Sequence, residues 1–153
     1  MRFRELSFSE DLVVLCSRAV TAEEAQKGIR ALCRAAGGLM MYVPAKKEAG
    51  KSAERIRGVL ADAVGDRAAS LMLEKIMGVY GGMQVYIPFE RSAFKKVIAL
   101  EIYARCGKKG VTMNDLAKEY GISFAHAYRL YYAVKRERQE KSLPYLPFLE
   151  LKQ

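Results

Sequence analysis

Chemistry on small molecules needs clusters of titratable groups, and this chain offers few. Its single histidine is His126, and no second histidine, cysteine or acidic cluster stands ready to partner it. The three cysteines, Cys16, Cys33 and Cys106, are odd in number and form no CxxC, which argues against a disulfide framework or a zinc site. Each sits in an apolar helical pattern, where Cys behaves as a small hydrophobe. Gly107-Lys108-Lys109-Gly110 lacks the GxxxxGK[ST] spacing of a phosphate-binding loop. No catalytic residue, metal site or cofactor is expected, and the chain does not read as an enzyme. The residues fit for recognition are instead Ser123, Phe124, His126, Arg129, Lys135 and Arg136. An Arg can grip a guanine edge with two hydrogen bonds, and later cations suit phosphates. Lys135-Arg136-Glu137-Arg138 also suits the negative end of a helix dipole, so a purely structural role stays open for it.

The elements that must hold this set are legible around it. Thr112 and Asp115 have the spacing of a capping box, and Leu116, Ala117 and Tyr120 form an apolar face. Gly121 breaks the helix with a residue that tolerates positive φ. Ile122 fills the corner, and Ser123 caps a second helix from Phe124. Ile122, Ala127 and Leu130 or Tyr131 then face the first helix, leaving Phe124, Ala125, His126 and Arg129 exposed, with Tyr132, Lys135 and Arg136 further along. This is the order of a helix-turn-helix, whose second helix enters the major groove. An ordinary αα-hairpin shares such a turn; the cap–turn–cap spacing and the basic charge favour DNA.

Upstream, Gly37-Gly38-Leu39-Met40-Met41-Tyr42-Val43-Pro44 recurs as Gly81-Gly82-Met83-Gln84-Val85-Tyr86-Ile87-Pro88, at an offset of 44 residues. Each copy follows an apolar helical face: Ile29, Leu32, Cys33, Ala36 in the first, Leu73, Ile76, Met77, Tyr80 in the second. The Gly-Gly should end each helix by an αL cap, and the Pro should end each strand. Helical patterns resume over 51–64 and 92–106, with Asp66 available to cap the helix that follows Gly65. The unit then reads helix, Gly-Gly, strand, Pro, helix. Two such strands need partners, and one small sheet flanked by helices is expected. Gln84 is polar among apolar neighbours and needs a partner or solvent.

With 153 residues, 51% of them apolar, the chain has material for a packed core. Its net charge is +9, and it is uneven: residues 1–88 carry 13 Lys+Arg against 10 Asp+Glu, whereas 89–153 carry 13 against 7. A basic C-terminal half suits a polyanion. The first residues lack the apolar run of a signal peptide, and no stretch approaches a membrane span, so a cytoplasmic protein without membrane attachment is expected. Residues 45–50 read as a polar linker. The tail Leu143-Pro144-Tyr145-Leu146-Pro147-Phe148-Leu149 could pack on the body or dock on a partner.

From Gly81 onward the chain resembles the middle operon regulator (Mor) family of phage Mu-type transcription activators. The resemblance rests on Gly81-Gly82-Met83-Gln84-Val85-Tyr86-Ile87-Pro88, then Asp115-Leu116, Tyr120-Gly121-Ile122-Ser123-Phe124, Tyr128 and a basic tail, and it begins near Ser52. It implies a dimerising part of helices and a strand, a C-terminal helix-turn-helix, and DNA contact by the strand residues at Gln84 and Tyr86, which share one strand face. It further implies activation by recruiting RNA polymerase, in a phage or prophage setting. One departure stands out: the family needs one Gly-Gly-strand-Pro unit and this chain has two, the first with Met40 in place of Gln84.

The expected fold is therefore mainly α with short β-strands, a helix/strand dimerisation-type region followed by a C-terminal helix-turn-helix. Residues 1–50 would be a degenerate repeat of the dimerisation unit, 51–90 the Mor-like dimerisation region with strand 83–87, 91–141 the DNA-binding domain and 142–153 a tail. The expected partners are double-stranded DNA, RNA polymerase, and either a second copy in a homodimer or the chain's own repeat in an intramolecular pseudo-dimer. The alternative is a protein–protein interaction module that keeps the fold without reading DNA.

Overall fold

Eight helices and one two-stranded sheet are formed by the described residues, 8–46 and 50–142, of the computed structural model. They belong to two compact units that meet in sequence between Phe94 and Lys95. The first unit contains α1 (Phe8–Cys16), α2 (Ala22–Ala36), β1 (Leu39–Val43), α3 (Lys51–Val64), α4 (Asp66–Tyr80), β2 (Met83–Ile87) and the short α5 (Glu90–Ala93). The second contains α6 (Lys95–Arg105), α7 (Met113–Tyr120) and α8 (Phe124–Ser142).

The repeat governs the first unit. Adding 44 to the bounds of α2 and β1 gives those of α4 and β2. The strands run antiparallel, with Leu39 opposite Ile87, Met41 opposite Val85 and Val43 opposite Met83. Met41 and Val85 are equivalent residues in the two copies, so the pairing is centred on an approximate two-fold axis. The helices obey the same axis: α1 packs on α2 and α4, while α3 packs on α4 and α2. Between α2 and α4 a Cβ on Gly28 would lie 2.5 Å from Met72 Cε, and these too are equivalent positions. Gly28 leaves the space that fully buried Met72 fills, which keeps the centre dense. Ile29, Leu32, Leu60, Ile76, Val43 and Ile87 complete a core sealed from water. Each large aliphatic buried there contributes about 1.5–3 kcal/mol.

The strand bounds and the helix over 51–64 match expectation, the apolar face Ile29, Leu32, Cys33 and Ala36 lies on α2, and the expected sheet forms within one chain. Four details differ. A helix precedes each repeat helix, so each copy is helix–helix–strand, and the helical pattern at Cys16 is the end of α1, whose extent was not assigned. The first glycine of each pair is extended (φ −57° at Gly37, −55° at Gly81), and the second takes positive φ (84° at Gly38, 82° at Gly82). Asp66 does not cap α4; Gly65 holds that place at φ 88°, where a side chain would be strained, and Asp66 accepts from Arg57. The helical pattern over 92–106 is broken at Phe94, giving α5 and α6.

The second unit packs α8 against α6 and α7 over Ile98, Ile102, Leu116, Ala117, Ala127, Leu130 and Val134. The tail from 143, including Leu143–Leu149, and the opening residues 1–7 lie outside the described residues, as do 47–49 of the linker.

Candidate nucleic-acid interface

Local hydrogen bonds fix both ends of α7 and the start of α8. Thr112 and Asp115 close the capping box: the Asp115 N–H donates to Thr112 Oγ1 at 3.2 Å and the Thr112 N–H to Asp115 Oδ2 at 3.0 Å. Those backbone and hydroxyl hydrogen bonds hold the Asp115 carboxyl below its ordinary range. Gly121 ends α7 in the left-handed region at φ 65°, and the Ile122 N–H returns to the Ala117 carbonyl at 3.0 Å. Ser123 Oγ accepts from the His126 N–H at 3.1 Å and so starts α8.

α7 is braced on α6 by a polar cluster. Arg105 donates to both carboxylate oxygens of Glu119, at 2.7 and 2.8 Å, and to Tyr120 Oη at 3.2 Å. Tyr120 Oη donates to Glu101 at 2.6 Å. Burial, aided by the Glu101 carboxylate, raises the Tyr120 phenol to about 12, while the Arg105 guanidinium lowers Glu119. Bidentate pairing fixes direction as well as distance, and here it ties α7 to α6 at a partly exposed place.

With α7 held, α8 is positioned by burying Ala127, Leu130 and Val134, at spacings of three and four. The opposite face carries Ala125, Tyr128, Arg129, Tyr132 and Arg136, all exposed, with Phe124 exposed at its start. Ser123, Phe124, Arg129 and Arg136 thus stand at the surface, as expected from sequence. Lys135 is half-buried, with Nζ 5.6 Å from the Tyr132 ring centre. His126 is a correction: it is half-buried rather than exposed, because its backbone is tied to the Ser123 cap and it sits beside the buried face of the helix.

An aromatic row was missed. Phe124, Tyr128 and Tyr132 stand four apart, with ring centres 5.0 and 5.3 Å from their neighbours, and all three are about half exposed. Spacing of four was the available signal, but on a helix it usually marks a core face.

In the first unit, the outward face of the β1–β2 ribbon carries Gln84 and Tyr86 together, both exposed. Opposite them across the ribbon lie Tyr42 and Met40, also exposed. The predicted site residues therefore fall into two sets, one in each unit. No helix among the described residues is long and apolar enough to cross a membrane.

No curated protein and no solved structure gives a significant match to the chain. A family model does: that of the Mor transcription activator family, over residues 47–146, which takes in α3 to α8 and leaves α1, α2 and β1 outside. That span is well over half of the sequence, and with the helical fold and small antiparallel sheet described above it follows that the chain belongs to the Mor transcription activator family and is a transcription regulator.

Proposed function

We propose that this chain activates transcription by reading double-stranded DNA, with α7 and α8 acting as a helix-turn-helix and the ribbon face as a second contact. The carrying observation is the division of α8 into two faces. One is buried on α6 and α7; the other presents Phe124, Arg129 and Arg136, and no acidic residue interrupts it before Glu137. A helix so braced from behind can enter the major groove without unpacking its own unit. Arg129, in the second turn, is placed for base edges, Phe124 for a thymine methyl group, and Lys135 and Arg136 for phosphates. Ser123 and His126, at the N-terminal end, suit phosphate or base contact there. Gln84 and Tyr86 supply the ribbon contact, and RNA polymerase is the partner through which activation would follow.

Duplex binding titrated across salt tests this. Affinity should fall steeply with salt and persist on selected sequences. Arg129→Ala should weaken the selected complex by ~1–3 kcal/mol while random DNA is affected less. Equal loss on both would make Arg129 a phosphate contact. The aromatic row on α8 favours a second reading, an interaction module that keeps the fold without DNA readout. Absence of binding at low salt would select it.

A further inference from the structure

The two-fold character of the first unit has a consequence for the DNA. Dimeric helix-turn-helix proteins meet inverted repeats because two identical recognition helices are related by a dyad. Here both halves of the two-fold unit come from one chain. Equivalent residues meet at its centre, Met41 with Val85 and Gly28 with Met72. Equivalent hydrogen bonds close its two ends: the Gly38 N–H donates to the Ile87 carbonyl and the Gly82 N–H to the Val43 carbonyl, each at 2.7 Å. The surfaces a second copy would use for the same pairing are already occupied.

The two halves do not carry equal equipment. β2 is followed by α5 and then by α6, α7 and α8. β1 is followed by residues 44–50 and then directly by α3, too few to hold any counterpart of that unit. The ribbon face is unequal as well, because the axis relates Tyr42 to Tyr86 but Met40 to Gln84. The groups that could touch DNA therefore have no dyad.

We infer that one copy of the chain binds one duplex site, and that this site is asymmetric: it holds a single major-groove half-site with no inverted counterpart. This rests on the DNA-reading function proposed above. The test uses the full chain with a random duplex pool, followed by the mass of the saturated complex on the selected duplex. The expected motif has no internal inverted symmetry, and one chain of 17.2 kDa is bound per duplex. Adding a mirrored half-site should change the affinity of the first chain less than about 2-fold. An inverted-repeat motif holding two chains, with on the order of 100-fold loss when one half is scrambled, would overturn the inference while leaving DNA reading intact. No enrichment of any sequence and no salt-dependent binding would overturn both.

Discussion

The two halves of the first unit share a backbone plan and differ in how each is secured. In the half ending at β1, Thr21 caps α2 through a complete capping box with Glu24. The equivalent of Thr21 is Gly65, which ends α3 and starts α4 with no side-chain bond. Arg30 and Arg34 on α2 hold Glu90, at 2.8 and 3.0 Å, where Arg30 and Glu90 are both mostly buried. At the equivalent places stand Glu74, Gly78 and Lys46, with the charges of the first pair reversed and both ends exposed. Conversely, Phe8 and Tyr80 meet edge-on at 5.2 Å, whereas their equivalents Ser52 and Ala36 line an open apolar groove of about 290 Å³ beside β1. A two-fold fold formed by one chain frees each half from serving as its own partner, so each position needs to fit only once.

The centre of the axis should be the most sensitive test of that freedom. Met72→Ala removes a fully buried side chain that Gly28 cannot replace, and unfolding by urea should show a loss of ~2–5 kcal/mol. Exchanging the pair, Gly28→Met with Met72→Gly, keeps volume and should recover stability to within ~1.5 kcal/mol of the parent. A swap as damaging as the single change would show that the two sides of the axis are not interchangeable.

The arginine clamp comes next. Glu90→Ala takes the carboxylate away from a largely buried Arg30 and should cost ~3 kcal/mol. Lys46→Ala, at the equivalent exposed place, should stay within ~0.5 kcal/mol of the parent. Equal effects would remove the distinction between a clamped and an unclamped half.

The second glycines give a smaller contrast. Gly82→Ala meets only the strain of φ 82°, ~1–2 kcal/mol, since nothing lies within 4 Å of the added Cβ. Gly38→Ala carries the same strain and must also displace the Phe89 ring, 2.6 Å from the new atom. It should therefore be the worse of the two in thermal unfolding, and parity would mean that the ring moves freely.

What sequence reading caught and missed follows from which signals are local. The strands 39–43 and 83–87 were legible because Gly-Gly fences one end and Pro the other. The α7 cap and the Gly121 turn were legible because each is settled within four residues. The extent of α1 was not, since a nine-residue helix burying Ser9, Leu12 and Cys16 offers too short a periodic run to bound. The break at Phe94 was hidden because the apolar pattern continues across it. The repeat itself was visible, yet choosing between pairing within the chain and pairing across a dimer depends on how α1 to α4 interlock, which is not local. His126 shows the same limit within the site: its face is decided by the tertiary burial of Ala127, Leu130 and Val134.

The smallest expected effect concerns the cap that only one half possesses. The Glu24 carboxylate accepts from the Thr21 N–H at 3.2 Å and from its hydroxyl at 3.0 Å, and these bonds, the backbone one foremost, lower its pKa below the ordinary 4.5. A lowered folded value means that the charged form binds better in the folded state. The associated stability is present above the ordinary value and is lost as pH falls through the folded one. Glu24→Gln keeps the cap geometry and removes the titration. Its deficit against the parent should be seen at neutral pH and shrink toward zero on acidification below 4.5. Because the Thr112–Asp115 box is present in both proteins, its own acid sensitivity cancels in the difference. A deficit that persists unchanged in acid would mean that the Thr21 box holds α2 through packing rather than charge. The two halves would then differ in shape alone.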